Sequence, residues 1–230
     1  MSLRARDTGV RELMDDPDCD PDRLAATLRR FDAVNRLWSG WAALYRRRLG
    51  PFLASLERPA RVLDLGSGGG DLVARLAAAA ERDGLDVRWL GADPDERALA
   101  VAQGRTSPRI EFRATDASSL RADGERFDAV VSNHVLHHLG AAELAGFADD
   151  SLALSHGIVL HSDIRRSRTA YGLYAVGVTP LAPGTFLRTD GLRSIRRSYR
   201  ASELQAALGR PWAVTDASPF RIVAEARARA

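Results

Sequence analysis

Val62-Leu63-Asp64-Leu65-Gly66-Ser67-Gly68-Gly69-Gly70-Asp71 is the stretch on which the fold turns. An apolar run ends in four glycines within five positions, and a helical pattern starts directly after them. The run therefore reads as a buried strand, a tight loop and the first turn of a helix. Glycine tolerates the sharp turn and lets backbone N–H groups come close to a ligand at a helix N-terminus. The dinucleotide fingerprint G-x-G-x-x-G, counted from Gly66 and Gly68, needs its third glycine at Asp71. A carboxylate there would repel a pyrophosphate. Counted as D-x-G-x-G-x-G, the run fits from Asp64 to Gly70 without a break.

C-terminal to this loop, short apolar runs alternate with helical patterns, as in βαβ units around a parallel sheet. Strands are expected at Arg61–Leu65, Val87–Ala92, Ile110–Ala114, Ala129–Ser132 and Gly157–His161, and helices at about Gly70–Arg82, Asp95–Gln103 and Ala142–Leu154. A helix at Ala201–Leu208, capped by Ser202, precedes an antiparallel pair, Pro211–Ala217 and Phe220–Glu225, joined around Ser218-Pro219. N-terminal to the loop, residues 1–20 are polar and acid-rich, and they are expected to fray. Asp20-Pro21 reads as a helix cap followed by proline in the first turn. Apolar residues at steps of three and four then run from Leu24 to Tyr45, a long amphipathic helix expected to stop at Gly50-Pro51. The expected class is a doubly wound α/β fold, Rossmann-like, with a mostly parallel seven-stranded sheet. Its divisions are an N-terminal helical cap (1–56), a core (57–163), an inserted cover (164–200) and a closing helix and strand pair (201–230).

Two acidic positions follow the loop at regular intervals. Asp93 ends the second strand, where a carboxylate can accept hydrogen bonds from both hydroxyls of a ribose. Asp116-Ala117 follows the third strand, and the alternative for Asp116 is a cap for the turn at Ala117–Leu120. With the glycine loop, these positions resemble the class I S-adenosylmethionine-dependent methyltransferases, among them the ubiquinone and menaquinone type and small-molecule enzymes of secondary metabolism. The resemblance runs from about Arg61 to His161. It implies S-adenosylmethionine as cofactor, whose ammonium suits acidic neighbours. The implied contacts are Asp64, Gly66, Ser67, Gly68, Gly70, Asp71, Asp93, Pro94, Asp116, Ala117 and Asn133, with Asp116-Ala117 beside the adenine.

The acceptor side is expected outside the carboxyl ends of the strands. Four of the five histidines stand at or beside those ends, and His134, His138 and His161 are the candidate catalytic groups, histidine being suited to take a phenolic proton near neutral pH. The alternative for His134 is a structural role, and for His138 that role is the commoner one. The N-terminal helices and the cover hold Phe31, Trp38, Trp41, Tyr171, Tyr174, Phe186 and Tyr199, a wall suited to a flat or greasy acceptor. Trp38, Tyr171 and Arg165 are the candidate acceptor contacts. Arg188, Arg193, Arg196 and Arg197 are expected to be solvated or to face an anionic group on the acceptor.

The expected reaction is O-methylation of a phenolic, quinol or polyketide-like small molecule. C-methylation of an activated ring, nicotinamide-dependent oxidoreduction and cofactor binding without turnover stay open as alternatives. The chain lacks lysine altogether, so no Tyr-x-x-x-Lys pair is available for the nicotinamide case. All 33 basic residues are arginines, in short scattered runs that do not suggest a nucleic-acid surface. One cysteine, Cys19, excludes an internal disulfide framework or a multi-cysteine metal site, and no metal is expected. Neither a membrane-spanning run nor a signal-peptide pattern stands out, so a cytoplasmic protein is expected, with a homodimer compatible.

Overall fold

The computed structural model describes residues 3–218 and 220–228. Seven strands form one sheet: β1 (Ala60–Leu65), β2 (Val87–Asp93), β3 (Ile110–Ala114), β4 (Phe127–Asn133), β5 (Ser155–Ile164), β6 (Ala213–Ser218) and β7 (Arg221–Arg227). Their spatial order is β3-β2-β1-β4-β5-β7-β6, and only β7 runs against its neighbours. Each strand lies within a few residues of its expected place. Ser218 and Phe220 flank the final turn, whose Pro219 lies outside the described residues.

Helices cover both faces because the central strands are apolar on both sides, as buried parallel strands must be. In β5, Val159 faces a core shared with α6 (Ala117–Ala122), α7 (Ala141–Leu154) and α10 (Ala201–Leu208), while Ile158 and Leu160 face the opposite core. That second core is closed by Trp41, Tyr45, Leu49 and Leu53, and by α4 (Asp71–Arg82). Each fully buried Leu or Val contributes about 1.5–3 kcal/mol, so two such layers fix the sheet. β6, at the edge, is largely exposed and carries Thr215 and Asp216, polar residues that discourage further strand pairing.

Three expectations fail N- and C-terminal to this core. The first helix, α1 (Pro21–Trp38), ends at Ser39-Gly40, where Gly40 takes φ +71°, and not at Gly50-Pro51. Instead α2 (Trp41–Leu44), a π-helical turn (Tyr45–Leu49) and α3 (Gly50–Ala54) follow in one run, with Pro51 inside the first turn of α3. Ser202 lies within α10, which Arg200 and Glu203 begin; the Glu203 carboxylate accepts the Arg200 N–H at 2.9 Å. Residues 3–20 do not fray but cross the molecule as an ordered strap. Arg6 donates to the carbonyls of His137 and Leu139 at 2.8 and 2.9 Å and to the Tyr199 hydroxyl at 2.6 Å. The fully buried Arg166 donates to the Leu3 and Ser198 carbonyls, and Asp190 accepts the N–H groups of Leu13 and Met14. An acid-rich segment looks soluble in isolation; here its backbone satisfies a buried arginine, Arg166, and a buried aspartate, Asp190, each more than 125 positions away.

Candidate active site

The strand order reverses between β1 and β4, which sit side by side with their crossovers leaving in opposite directions. A cleft of about 510 Å³ opens at their carboxyl ends, the place where open α/β sheets bind ligands. Its floor is the glycine loop. Gly66 and Gly70 take φ of +70° and +76°, and a Cβ at either would stand 2.5 Å from a side-chain carbon of Val135 or Phe112. These two positions therefore accept only glycine, and they press the loop against β4's end and against β3.

Asp93 fastens the floor. One carboxylate oxygen accepts the Gly68 N–H at 2.8 Å and the other the Asp95 N–H at 2.9 Å. The amides of Gly66 and Ser67 bond to the Ala92 carbonyl and that of Gly70 to the Ser67 carbonyl. The loop is thus stapled by its own amides, which the sequence had assigned to a ligand. Asp64 is buried, and its Oδ1 has no partner. Burial, with Asp71 and Asp93 nearby, holds the Asp64 carboxyl well above the usual range. Asp71 is not free to face a ligand: Arg75 and Asn35 donate to its Oδ2 at 3.0 and 3.1 Å. Burial raises its pKa and those two contacts oppose the rise. An ammonium group fits the orphaned oxygen of Asp64 better than it fits Asp71.

Gly66, Ser67, Gly68, Asp93, Pro94 and Asn133 all line the cleft as expected, but Gly70, Asp116 and Ala117 do not. Asp116 caps α6, its Oδ1 accepting the Ser119 N–H at 2.8 Å and the Ser118 hydroxyl at 2.9 Å. The capping alternative describes this residue.

At the end of β4, His134 adopts φ +65°, rare for a residue with a side chain. Its amide is held by the Ser162 carbonyl at 3.0 Å. Arg221, at the start of β7 and 2% exposed, approaches His134 Nε2 at 3.0 Å, donates to Ser162 Oγ at 3.0 Å and also bonds the Asn133 amide oxygen. A guanidinium only donates, so Nε2 must carry its lone pair there. The Asn35 amide oxygen, 3.1 Å from the same nitrogen, is then a close contact without a proton between them. Burial and the Arg221 charge push His134 well below the ordinary imidazole range, and burial lowers Arg221 itself to about 10. Nothing in the glycine-loop pattern signals Arg221. It sits in the terminal strand pair, and only the β5–β7 pairing brings it across the cleft.

The other two histidine candidates part ways. His161 is a correction: its side chain points into the core on the α7 and α10 side, stacked on Trp212 with ring centroids 5.2 Å apart, and Nδ1 meets Ser132 Oγ at 2.8 Å. Burial drops it to about 3. Residues alternate along β5, and position 161 falls on the face away from the cleft. His138 lines the cleft, as does His137, which was not a candidate. His137 is 1% exposed, with Nδ1 2.7 Å from Asp163 and Nε2 3.2 Å from Glu12 of the strap. Burial alone would lower its pKa, but the two carboxylates outweigh it and raise it to about 9. The same contact, with Arg221 nearby, holds Asp163 far below the carboxylate range despite its burial.

The roof is α1, the strap, α8 (Arg168–Gly177) and α9 (Leu187–Arg197). Phe31, Trp38 and Tyr174 line the cleft, Trp38 and Tyr174 meeting edge to face at 6.4 Å. Tyr171, also on α8, does not line it. Arg165 turns the other way, its Nε 3.4 Å from Asp216 of β6. Trp41 belongs to the sheet core, Phe186 packs with Leu24 and Leu28, and Tyr199 lies under Arg6. Arg193, Arg196 and Arg197 are partly exposed and already engaged: they bond the Arg11 carbonyl, Asp7 and Asp15 of the strap. Arg188 is exposed, in keeping with the solvated alternative.

A family model for methyltransferase domains matches residues 62–153, the span that holds the loop, Asp93 and the end of β4. Over that span the chain is similar to the class I S-adenosylmethionine-dependent methyltransferases. The ubiquinone biosynthesis O-methyltransferase of Brucella anthropi is 30% identical over 153 residues, covering 65% of this chain and 58% of that protein. The protein of the same description from Roseobacter denitrificans is 33% identical over 120 residues, 51% of this chain and 46% of the relative. The chain thus spans about half the length of the curated relatives it matches. Among solved structures, the plantazolicin methyltransferase BpumL in complex with SAH superposes with a TM-score of 0.62 at 13% identity, covering 91% of this chain and 95% of that one. The magnesium protoporphyrin IX methyltransferase of Synechocystis with bound SAM gives 0.54 at 16% identity over 93% and 100%. At such identities the likeness establishes the methyltransferase fold. Among the described residues, no helix is long and apolar enough to cross a membrane.

Proposed function

We propose that this chain transfers a methyl group from S-adenosylmethionine to an oxygen of a small aromatic or lipophilic molecule, a phenol, quinol or polyketide-like compound. The observation that carries the proposal is a stapled glycine loop opening into a cleft roofed by Phe31, Trp38 and Tyr174. The cofactor, when bound, supplies an electrophilic methyl on a sulfonium and its own leaving group. The chain's part is then alignment and charge. Asp93 keeps a lone pair on each oxygen for ribose hydroxyls beyond the amides it holds. Asp64 offers its unpartnered oxygen to the ammonium.

On the acceptor side, His134 Nε2 can receive a phenolic proton once the acceptor oxygen displaces the Arg221 N–H that its lone pair accepts in this structure. Its low basicity makes it a weak base for a free phenol, and the Arg221 cation compensates by stabilising the phenolate that forms. O-methylation is favoured over C-methylation because the relatives matched over the core are described as O-methyltransferases. The test is incubation with isotopically labelled S-adenosylmethionine and a panel of phenols and quinols, with mass spectrometry of the products. A labelled methyl ether is expected. Label on ring carbon would replace the oxygen assignment, and no transfer to any acceptor, together with no SAH binding by calorimetry, would end the proposal.

A further inference from the structure

Opposite the glycine loop, the cleft wall carries a cluster that the methyl-transfer proposal leaves unused. Glu12, His137 and His138 each present one ligand-type atom there, all within 4.8 Å of one another. His137 Nε2 stands 3.2 Å from Glu12 Oε1, and His138 Nε2 stands 3.7 Å from the same oxygen. Zinc bonds of about 2.0–2.2 Å to nitrogen and oxygen, at tetrahedral angles, separate adjacent ligand atoms by about 3.3–3.6 Å. Two edges of such a tetrahedron are therefore nearly in place.

Both rings are held from behind by carboxylates. His137 Nδ1 lies 2.7 Å from Asp163 Oδ1, and His138 Nδ1 lies 3.3 Å from Asp15 Oδ2. A carboxylate on Nδ1 fixes the tautomer that turns the Nε2 lone pair outward, the usual support of a metal-bound histidine. Ser194 donates to Glu12 Oε1 at 2.7 Å and keeps that carboxylate in position. Glu12 and His137 are 5% and 1% exposed, while the His138 side chain, 30% exposed, reaches the open cleft. Two imidazoles and one carboxylate suit Zn2+ or its first-row neighbours. Mg2+ and Ca2+ prefer sites made wholly of oxygen.

We propose that Glu12, His137 and His138 form a Zn2+ site with its fourth position open to the cleft. Asp163 and Asp15 orient the two imidazoles. The ion would tie the N-terminal strap to the turn after β4, segments 125 residues apart in sequence. In the cleft, the open position takes an oxygen of the acceptor; that role rests on the methyl-transfer proposal, and the binding itself does not.

Chelator-stripped full-length protein, titrated with Zn2+ in a calorimeter and with Co2+ as a spectroscopic probe, tests the site. About one Zn2+ per chain is expected, displacing Co2+ whose visible bands report four-fold coordination by nitrogen and oxygen. His138→Ala and Glu12→Gln should each weaken Zn2+ binding by about 100-fold or more, and Asp15→Asn by about 10-fold, as outer partners of metal-bound histidines do. Melting curves check that each variant folds. His138 is the most exposed ligand, so His138→Ala decides the matter if Glu12→Gln does not fold. Substoichiometric Zn2+ uptake, or uptake unchanged in His138→Ala, overturns the proposal and leaves an ion-paired cluster in its place. SAH titrated into the stripped protein separates the two readings. SAH binding without Zn2+ binding ends the metal site alone, and Zn2+ binding without SAH binding ends the methyl-transfer proposal alone.

Discussion

The cleft has two walls of different origin. Its floor, the loop after β1 with Asp93 and the end of β4, comes from one continuous stretch of about seventy residues and is held by backbone geometry. Gly66 and Gly70 sit in conformations closed to other residues, and Asp93 clasps two amides. Its roof is assembled from the strap, α1, α8 and α9, segments from both ends of the chain, and it is held by side chains. Arg6, Arg166, Asp190 and Arg196 bind the strap down through hydrogen bonds and ion pairs. The contrast teaches that binding of a cofactor and closure over an acceptor rest on different physics within one cleft. Changes to the floor should act on cofactor affinity, and changes to the roof on turnover and acceptor recognition.

The largest expected effect breaks the floor. Asp93→Ala removes the proposed ribose acceptor and frees the Gly68 amide, and SAH affinity measured by calorimetry should fall by about 100-fold or more. Retention of affinity within a few-fold would show that the carboxylate serves the loop alone. At the seam between the walls, His134→Ala should slow turnover by about 10²-fold with SAH affinity nearly unchanged; an unaltered rate takes His134 out of the proton transfer.

Roof changes come next. Arg6→Ala deletes the contacts to His137, Leu139 and Tyr199, and hydrogen exchange of residues 3–20 should accelerate by about 10-fold or more while SAH affinity stays within about threefold. Loss of both together would mean that floor and roof are one cooperative unit. Trp38→Ala should raise the acceptor's KM by about 10-fold with a smaller change in kcat.

The smallest effect is one of pH. In chelator-treated protein, His137 is an imidazolium between Asp163 and Glu12, with a pKa of about 9 in the folded chain against about 6.5 when unfolded. A raised pKa stabilises the fold in full below pH about 6.5, and the contribution disappears as pH rises through 9. The melting temperature should therefore decline across that window, and His137→Gln should flatten the decline.

Local pattern carried much of this protein. The strand–glycine–helix run, the apolar runs of β1 to β5 and the acidic residue closing β2 are each specified by residues adjacent in sequence, because strand burial and φ > 0 are properties of a few consecutive positions. From them follow the sheet, its two helical layers and the floor of the cleft. What lay outside that reach came from long-range pairing. Arg221 enters the cleft only because β7 inserts beside β5 in reverse, and His161 leaves it because alternate residues of a strand face opposite sides. Residues 3–20 have no apolar period of their own, so their order depends on polar partners distant in sequence, among them Arg166, Asp190 and Arg196. The sequence by itself determined the sheet and the cradle, through sterics and burial acting over short spans. The tertiary structure alone decided which charged groups meet across the cleft, because a partner for a buried charge is chosen by proximity in space, which no local pattern records.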